Sequence, residues 1–222
     1  VQTCALPIFA DRYPHSDLRE QVVALIYEIG RDLSASDRGF LFFWSDRRGG
    51  RVCLQHLVTR YPDSAQLADA LRLLGEMSFA DQDYDEAQER FRELLVRRPD
   101  SEWVPLARFR FAMSLVASLQ GPEYDLDQMV HASKELQAFL EKPPENPEFV
   151  SQARESLARV LEWQAERYVK IADFYRTIGN HPGELASLKR AAADELKDTK
   201  ASTEAKLRLA ALQARPVTQG GS

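Results

Sequence analysis

The chain has 222 residues, 29 Lys+Arg against 34 Asp+Glu, a net charge of −5, and 44% hydrophobic and 28% charged residues. That balance belongs to a folded globular chain, and the acidic excess argues against the basic surface of a nucleic-acid binder. The longest uninterrupted apolar run is residues 22–27, far short of the ~20 residues a bilayer-spanning helix needs.

Residues 1–10 join poorly to the repeats beyond them. They carry no initiator Met, basic n-region or apolar h-region, so they do not read as a signal peptide. Cys4 has only Val-Gln-Thr before it and fails as a lipid-attachment site. The segment is taken as a truncated or foreign start, with any targeting signal and lipid anchor expected outside this fragment. Cys4 and Cys53, the two cysteines, form neither a CxxC nor a disulfide framework.

A repeat organises the rest. Tyr-Pro-His-Ser at 13–16 recurs as Tyr-Pro-Asp-Ser at 61–64, as Arg-Pro-Asp-Ser at 98–101, and in degraded form as Lys-Asp-Thr at 197–199. The proline of each full copy cannot continue a helix, and the Asp, Ser or Thr can cap the next one. After the first copy an apolar helix is followed by an expected long turn over 34–48, which carries the run Phe40-Leu-Phe-Phe-Trp44 between polar flanks. Two fates are open to that run: docking on the protein's own helices, or contact with a partner or bilayer surface through Phe40, Phe42, Phe43 and Trp44. Gly49-Gly50 lacks the Lys-Ser/Thr of a phosphate loop and is expected to loosen the start of a helix. Cys53 lies on the apolar side of that helix with Leu54 and Leu57, a packing position.

Between 61 and 99 the periodicity predicts two helices, one marked by Leu67, Leu71, Leu74 and Met77 and one by Ala87, Phe91, Leu94 and Leu95, with Asp81-Gln-Asp as the turn. The next hairpin has Ala112 in its first helix and Ala132, Leu136 and Phe139 in its second, with a turn lengthened over 120–127. From Glu148 to about Gly179 no proline or glycine interrupts a helical stripe. His181-Pro182 opens another helix, with Leu185, Leu188 and Leu196 facing inward, and a last one holds Ala205, Leu207, Leu209 and Leu212. Residues 214–222 are expected to be a disordered tail.

Histidines 15, 56, 131 and 181 stand alone, without a second ligand three or four residues on. A metal or hydrolytic site needs convergent groups at ligand spacing, so no catalytic residue, metal or cofactor is expected. Glu86, Glu89 and Glu93 with Arg90, Arg92 and Arg97 read as a solvated, paired helix face.

The motif Leu74-Gly75, Tyr84, Ala87, Phe91, Pro99, with steps of twelve from Gly75 to Ala87, four to Phe91 and eight to Pro99, resembles the tetratricopeptide repeat. Small residues at 75 and 87 allow two helices to cross closely, and Leu74, Tyr84 and Phe91 fill the space between them. The resemblance implies an all-α solenoid over residues 11–213, a right-handed superhelix of about nine helices. It also implies that the first helix of each hairpin lines a concave groove, which places Arg31, Arg72, Glu76, Phe79, Phe109 and Met113 in a peptide-binding face. Phe109 and Met113 are either exposed there as an aromatic-anchor site or buried by neighbouring segments.

The string Tyr168-Val-Lys-Ile-Ala172-Asp-Phe-Tyr175, then Gly179, then Lys197-Asp-Thr-Lys-Ala-Ser-Thr-Glu-Ala205, resembles the C-terminal half of the BamD (YfiO) family of outer-membrane assembly lipoproteins. The long helix after the proline-rich turn 143–147 agrees with that likeness. The lipidated start is absent, and Glu195-Leu196-Lys197 stands where the family has a Tyr-Pro. The resemblance implies a non-enzymatic scaffold of β-barrel assembly at the periplasmic face of the outer membrane, membrane-bound only through its lipid anchor. It implies contact with the barrel-assembly channel protein near Arg176, His181 and Glu184, and capture of barrel-precursor peptides in the groove. The alternative is a general repeat adaptor of another cell-envelope or cytoplasmic complex.

Overall fold

The computed structural model describes residues 18–35 and 46–214. These form nine α-helices and no strand: α1 (Arg19–Ala35), α2 (Asp46–Arg60), α3 (Leu67–Ala80), α4 (Tyr84–Arg97), α5 (Val104–Ser118), α6 (Leu126–Glu141), α7 (Pro147–Thr177), α8 (His181–Ala191) and α9 (Lys200–Gln213), with a 3-10 turn at Asp194–Leu196. The arrangement is a tetratricopeptide-like helical fold, as the repeat motif implies. The chain divides into two compact units, Val1–Ser114 and Leu115–Ser222. The expectations for residues 1–10, for 40–44 and for 215–222 lie outside the described residues.

In the first unit, α1 pairs with α2 and α3 with α4, and α2 packs on α3. The apolar stripe of α3 is fully inside, with Leu67 and Leu71 at 0% exposure and Leu74 at 1%. Asp81 and Gln82 turn the chain, Gln82 taking a left-handed φ of 63°, and Asp83 caps α4 by accepting from the Glu86 N–H. The small positions do what their spacing predicts. A Cβ on Gly75 would lie 2.7 Å from Phe91 Cζ, and Ala87 and Phe91 are both completely buried. The joints between hairpins are tied as well, since Arg98 donates to the carbonyls of Pro62 and Ser64 at 3.1 Å each.

The α1–α2 pair departs from expectation in two ways. Ser34, Ala35 and Asp46 to Arg48 are helical, so the turn is shorter at both edges than the 34–48 span. Gly50 does not loosen a helix start. It is buried within α2, and a Cβ there would meet Ser34 N at 2.6 Å and Gly30 O at 2.7 Å. Two backbones therefore touch, and glycine is the residue that permits it.

In the second unit α7 runs for 31 residues. It starts because Asn146 caps it, accepting from the Glu148 N–H at 2.9 Å, and because Pro147 occupies the first turn, where no amide partner is lost. It stops at Gly179, whose φ of 72° lets Asn180 N–H reach back to Tyr175 O at 2.8 Å. It packs on α6, α8 and α9, with Gln164 near its middle bonded to Met129 and Ser133 of α6 and its later turns in the core shared with α8 and α9. Ala165, Val169, Ala172, Leu188, Ala191 and Ala205 form this second core, small side chains that bring the helices close. The 197–199 copy acts as expected: Thr199 caps α9 by accepting from Ser202 N–H at 3.1 Å. The Glu162 carboxylate on α7 adds two more bonds there, from Lys200 N–H at 2.9 Å and Ala201 N–H at 3.0 Å, an anion placed at a helix N-terminus.

Candidate protein-interaction surfaces

In the first unit, Asp69, Arg72, Glu76 and Phe79 follow one another along α3 at steps of three and four residues, which puts them on one stripe. Arg72 lies over the Trp103 ring, 4.1 Å from its centroid. The Trp103 Nε1–H donates to Asp69 Oδ1 at 3.0 Å. One turn further, Arg110 Nε donates to Glu76 Oε1 at 2.8 Å, and the same guanidinium covers Phe79 at 5.0 Å. Each arginine thus lies over an aromatic ring and beside a carboxylate, Arg72 4.0 Å from Asp69 Oδ1 and Arg110 on Glu76, contacts that restrict its conformational freedom.

Arg31 sits half in solvent, ion-paired with Asp32 at 2.9 Å and 5.9 Å from the Tyr27 ring centroid. Burial, and next the Asp69 carboxylate, push the Tyr27 phenol above its usual value. Arg31 and Glu76 line a common cavity of about 440 Å³ with Ser34, Arg47, Leu73 and Met77. The structure therefore brings Arg31, Arg72, Glu76 and Phe79 onto one side of the unit. Met113 is half-buried on α5. Phe109 is a correction: at 1% exposure it is a core side chain and has no surface to offer an aromatic-anchored peptide. An apolar ring on an apolar helix gains more from burial than from waiting in water.

Arg110 and Trp103 are the contributors that the sequence reading missed. Both partner a residue 34 positions earlier, three short of the 37-residue step between the copies at 61–64 and 98–101, so they join non-equivalent positions of neighbouring hairpins and the repeat motif does not mark them.

In the second unit, Arg176 is exposed and pairs with Asp173 at 3.2 Å. His181 is also exposed, its Nδ1 3.8 Å from Glu184 Oε2. Glu184 is different: its side chain is 5% exposed, and Oε1 lies 3.5 Å from Arg208, which also reaches Asp173 at 2.9 Å and Glu204 at 3.6 Å. Expected at a partner interface, Glu184 instead sits inside a four-residue ionic cluster joining α7, α8 and α9. Arg176 and His181 stand on the same end of the unit as Phe174 and Ile178, which are 61% and 58% exposed. Phe40, Phe42, Phe43 and Trp44 lie outside the described residues.

Among the described residues no three His, Cys, Asp or Glu side chains gather as metal ligands, and no helix is long and apolar enough to cross a membrane. Cys53 is buried beside Leu54 and Leu57. The family model YfiO, described as outer membrane lipoprotein, matches residues 46–214, about three quarters of the chain. Comparison with curated proteins gave no match.

Proposed function

Because the chain belongs to the YfiO family of outer membrane lipoproteins, we propose that it is a non-enzymatic scaffold of outer-membrane β-barrel protein assembly, working at the periplasmic face of that membrane. In this reading the first unit captures barrel-precursor peptides and the end of the second holds the barrel-assembly channel protein. The observation that carries the peptide role is the α3 stripe. Preorganised guanidinium–aromatic pairs beside an open cavity present flat apolar area and fixed charge at little entropic cost, the properties that concentrate binding energy in a few side chains. The carrier of the partner role is the exposed pair Phe174 and Ile178 flanked by Arg176 and His181, an apolar centre with a polar rim. No covalent step is required.

The test is site-specific photocrosslinking in envelope extracts. A photoreactive residue at Phe79 should trap unfolded barrel precursors, and one at Ile178 should trap the channel protein. The same residue at Val96, exposed on α4, serves as the control. Capture of neither, or equal capture from all three positions, defeats this reading and leaves a general repeat adaptor. A lipid-labelled full-length product recovered with outer membranes is expected; a product recovered in the cytoplasm defeats the placement.

A further inference from the structure

We infer that the second unit carries a separate binding site, between α6 and α7, for a short acidic peptide segment with one apolar anchor side chain. It is independent of the α3 stripe and of the helix end carrying Phe174.

Val130, Ser133, Lys134 and Gln137 follow one face of α6, and Leu161, Gln164 and Tyr168 one face of α7. Between them, closed at one end by the 3-10 turn, lies a cavity of about 310 Å³, at the lower end of the ~300–1,000 Å³ of ligand pockets. Its walls are mainly apolar, from Val130, Leu161, Leu196 and the Tyr168 ring. Volume and lining suit one large apolar side chain.

Three polar features fix the class of occupant. Gln164 is only 6% exposed. Its amide nitrogen spends both protons inside the protein, on Met129 O at 3.0 Å and Ser133 Oγ at 2.9 Å. That locks the side chain and leaves its Oε1, which accepts no hydrogen bond among the described residues, as a fixed acceptor in the lining. That oxygen is not sealed from solvent and lies in the cavity lining, so an entering peptide N–H meets an acceptor already fixed in place. Lys134 and Arg190 both line the cavity and are exposed. Neither has a carboxylate partner among the described residues, whereas arginines such as Arg90, Arg110 and Arg208 are ion-paired. Arg190 is 6.0 Å from the Tyr168 ring centroid, which places its charge beside the cavity. Against these two cations stands one acid, Glu195. An apolar floor, a fixed side-chain acceptor and a net positive rim are complementary to an apolar residue flanked by Asp or Glu.

The probe is a fluorescein-labelled, end-capped peptide, Gly-Ser-Asp-Phe-Glu-Gly-Ser, titrated with the full chain by fluorescence anisotropy. Controls replace both acids by Lys, or the Phe by Ala. Both controls should bind about tenfold or more weakly, and binding should fall with salt. The double variant Lys134→Glu/Arg190→Glu changes exposed side chains and should cost a similar factor with an unchanged circular dichroism spectrum. Ala193→Leu, which fills the cavity without touching charge, should abolish anchor-dependent binding, and the Gln164 side-chain amide resonances should shift with the acidic peptide only. Equal binding of the acidic and Lys peptides, or indifference to both variants, overturns the inference. So does binding of anionic phosphatidylglycerol vesicles through Lys134 and Arg190 when the peptide fails. Because none of these residues lies on the α3 stripe or near Ile178, the photocrosslinking result is unaffected either way.

Discussion

Gly75→Ala sets two terms against each other. In a helix interior, alanine is favoured over glycine by about 1 kcal/mol. Against that, the new Cβ would stand 2.7 Å from Phe91 Cζ, 2.8 Å from Cε1 and 3.0 Å from Cε2. Carbon atoms settle at about 3.5–4.0 Å, so the ring must retreat by roughly 1 Å. Phe91 is completely buried, with Ala87 and Leu94 on its own helix equally enclosed, and the ring has no vacant space to move into. Overpacking of this kind costs about 1–3 kcal/mol, and the rigid ring puts it in the upper half of that range. The net expectation is a loss of about 1–2 kcal/mol, or about 2–8 °C in Tm for a chain of this size. Gly49→Ala is the matched control: it too is helical, but its Cβ would meet only Leu33 Cδ1, at an ordinary 3.6 Å. That variant should gain about 0.5–1 kcal/mol. Urea denaturation of both, with Gly75→Ala/Phe91→Leu as the compensating double variant, measures signs and coupling. If Gly75→Ala stabilises as Gly49→Ala does, the close-crossing argument is wrong.

Other outcomes rest on the same geometry. Arg208→Met strands the buried Glu184 carboxylate and should destabilise the second unit by about 3 kcal/mol, seen as faster amide exchange in α8 and α9; adding Glu184→Gln should recover part of it. Thr199→Ala removes the α9 cap and should cost about 1 kcal/mol, with lost protection confined to the first turn of that helix. Tyr27 has its phenol pKa raised in the fold, which favours the neutral form. Its contribution is therefore present below pH 10 and is lost as pH rises through the raised folded value. Tyr27→Phe should lose less stability than the parent between about pH 9 and about pH 11, and an identical decline in both proteins would show that the phenol is not held neutral.

The helices were legible where a signal was local. The Thr199 cap, the proline joints and the 75–87–91 triplet all act within sixteen residues, so their pattern survives in one dimension. What was not legible depended on partners far apart in sequence. The ionic cluster draws Glu184 inward because Arg208 arrives from another helix, and Phe109 is buried by a register that the groove mapping alone does not reveal. The α1–α2 crossing falls at Gly30 and Gly50, twenty residues apart where Gly75 and Ala87 are twelve apart, so the spacing of the best repeat copy does not locate it. Among the site residues, the α3 stripe was readable by periodicity, whereas its partners Trp103 and Arg110 come from the next hairpin at a spacing of 34 that the 37-residue repeat does not mark.

The length of α7 also governs how this chain can change over evolutionary time. The one helix serves α6 as well as α8 and α9, and no joint separates the two duties. Each inserted or deleted residue advances the helix by about 1.5 Å and rotates everything after it by about 100°. A single-residue change near its middle would swing Ala165, Val169 and Ala172 off their core and carry the Glu162 cap away from α9. Length changes there should survive only in near-integral numbers of turns, such as seven or eleven residues, while the 119–125 turn is free to vary one residue at a time. Lineages of this fold should therefore differ in the reach of their turns and agree in the phase of this helix.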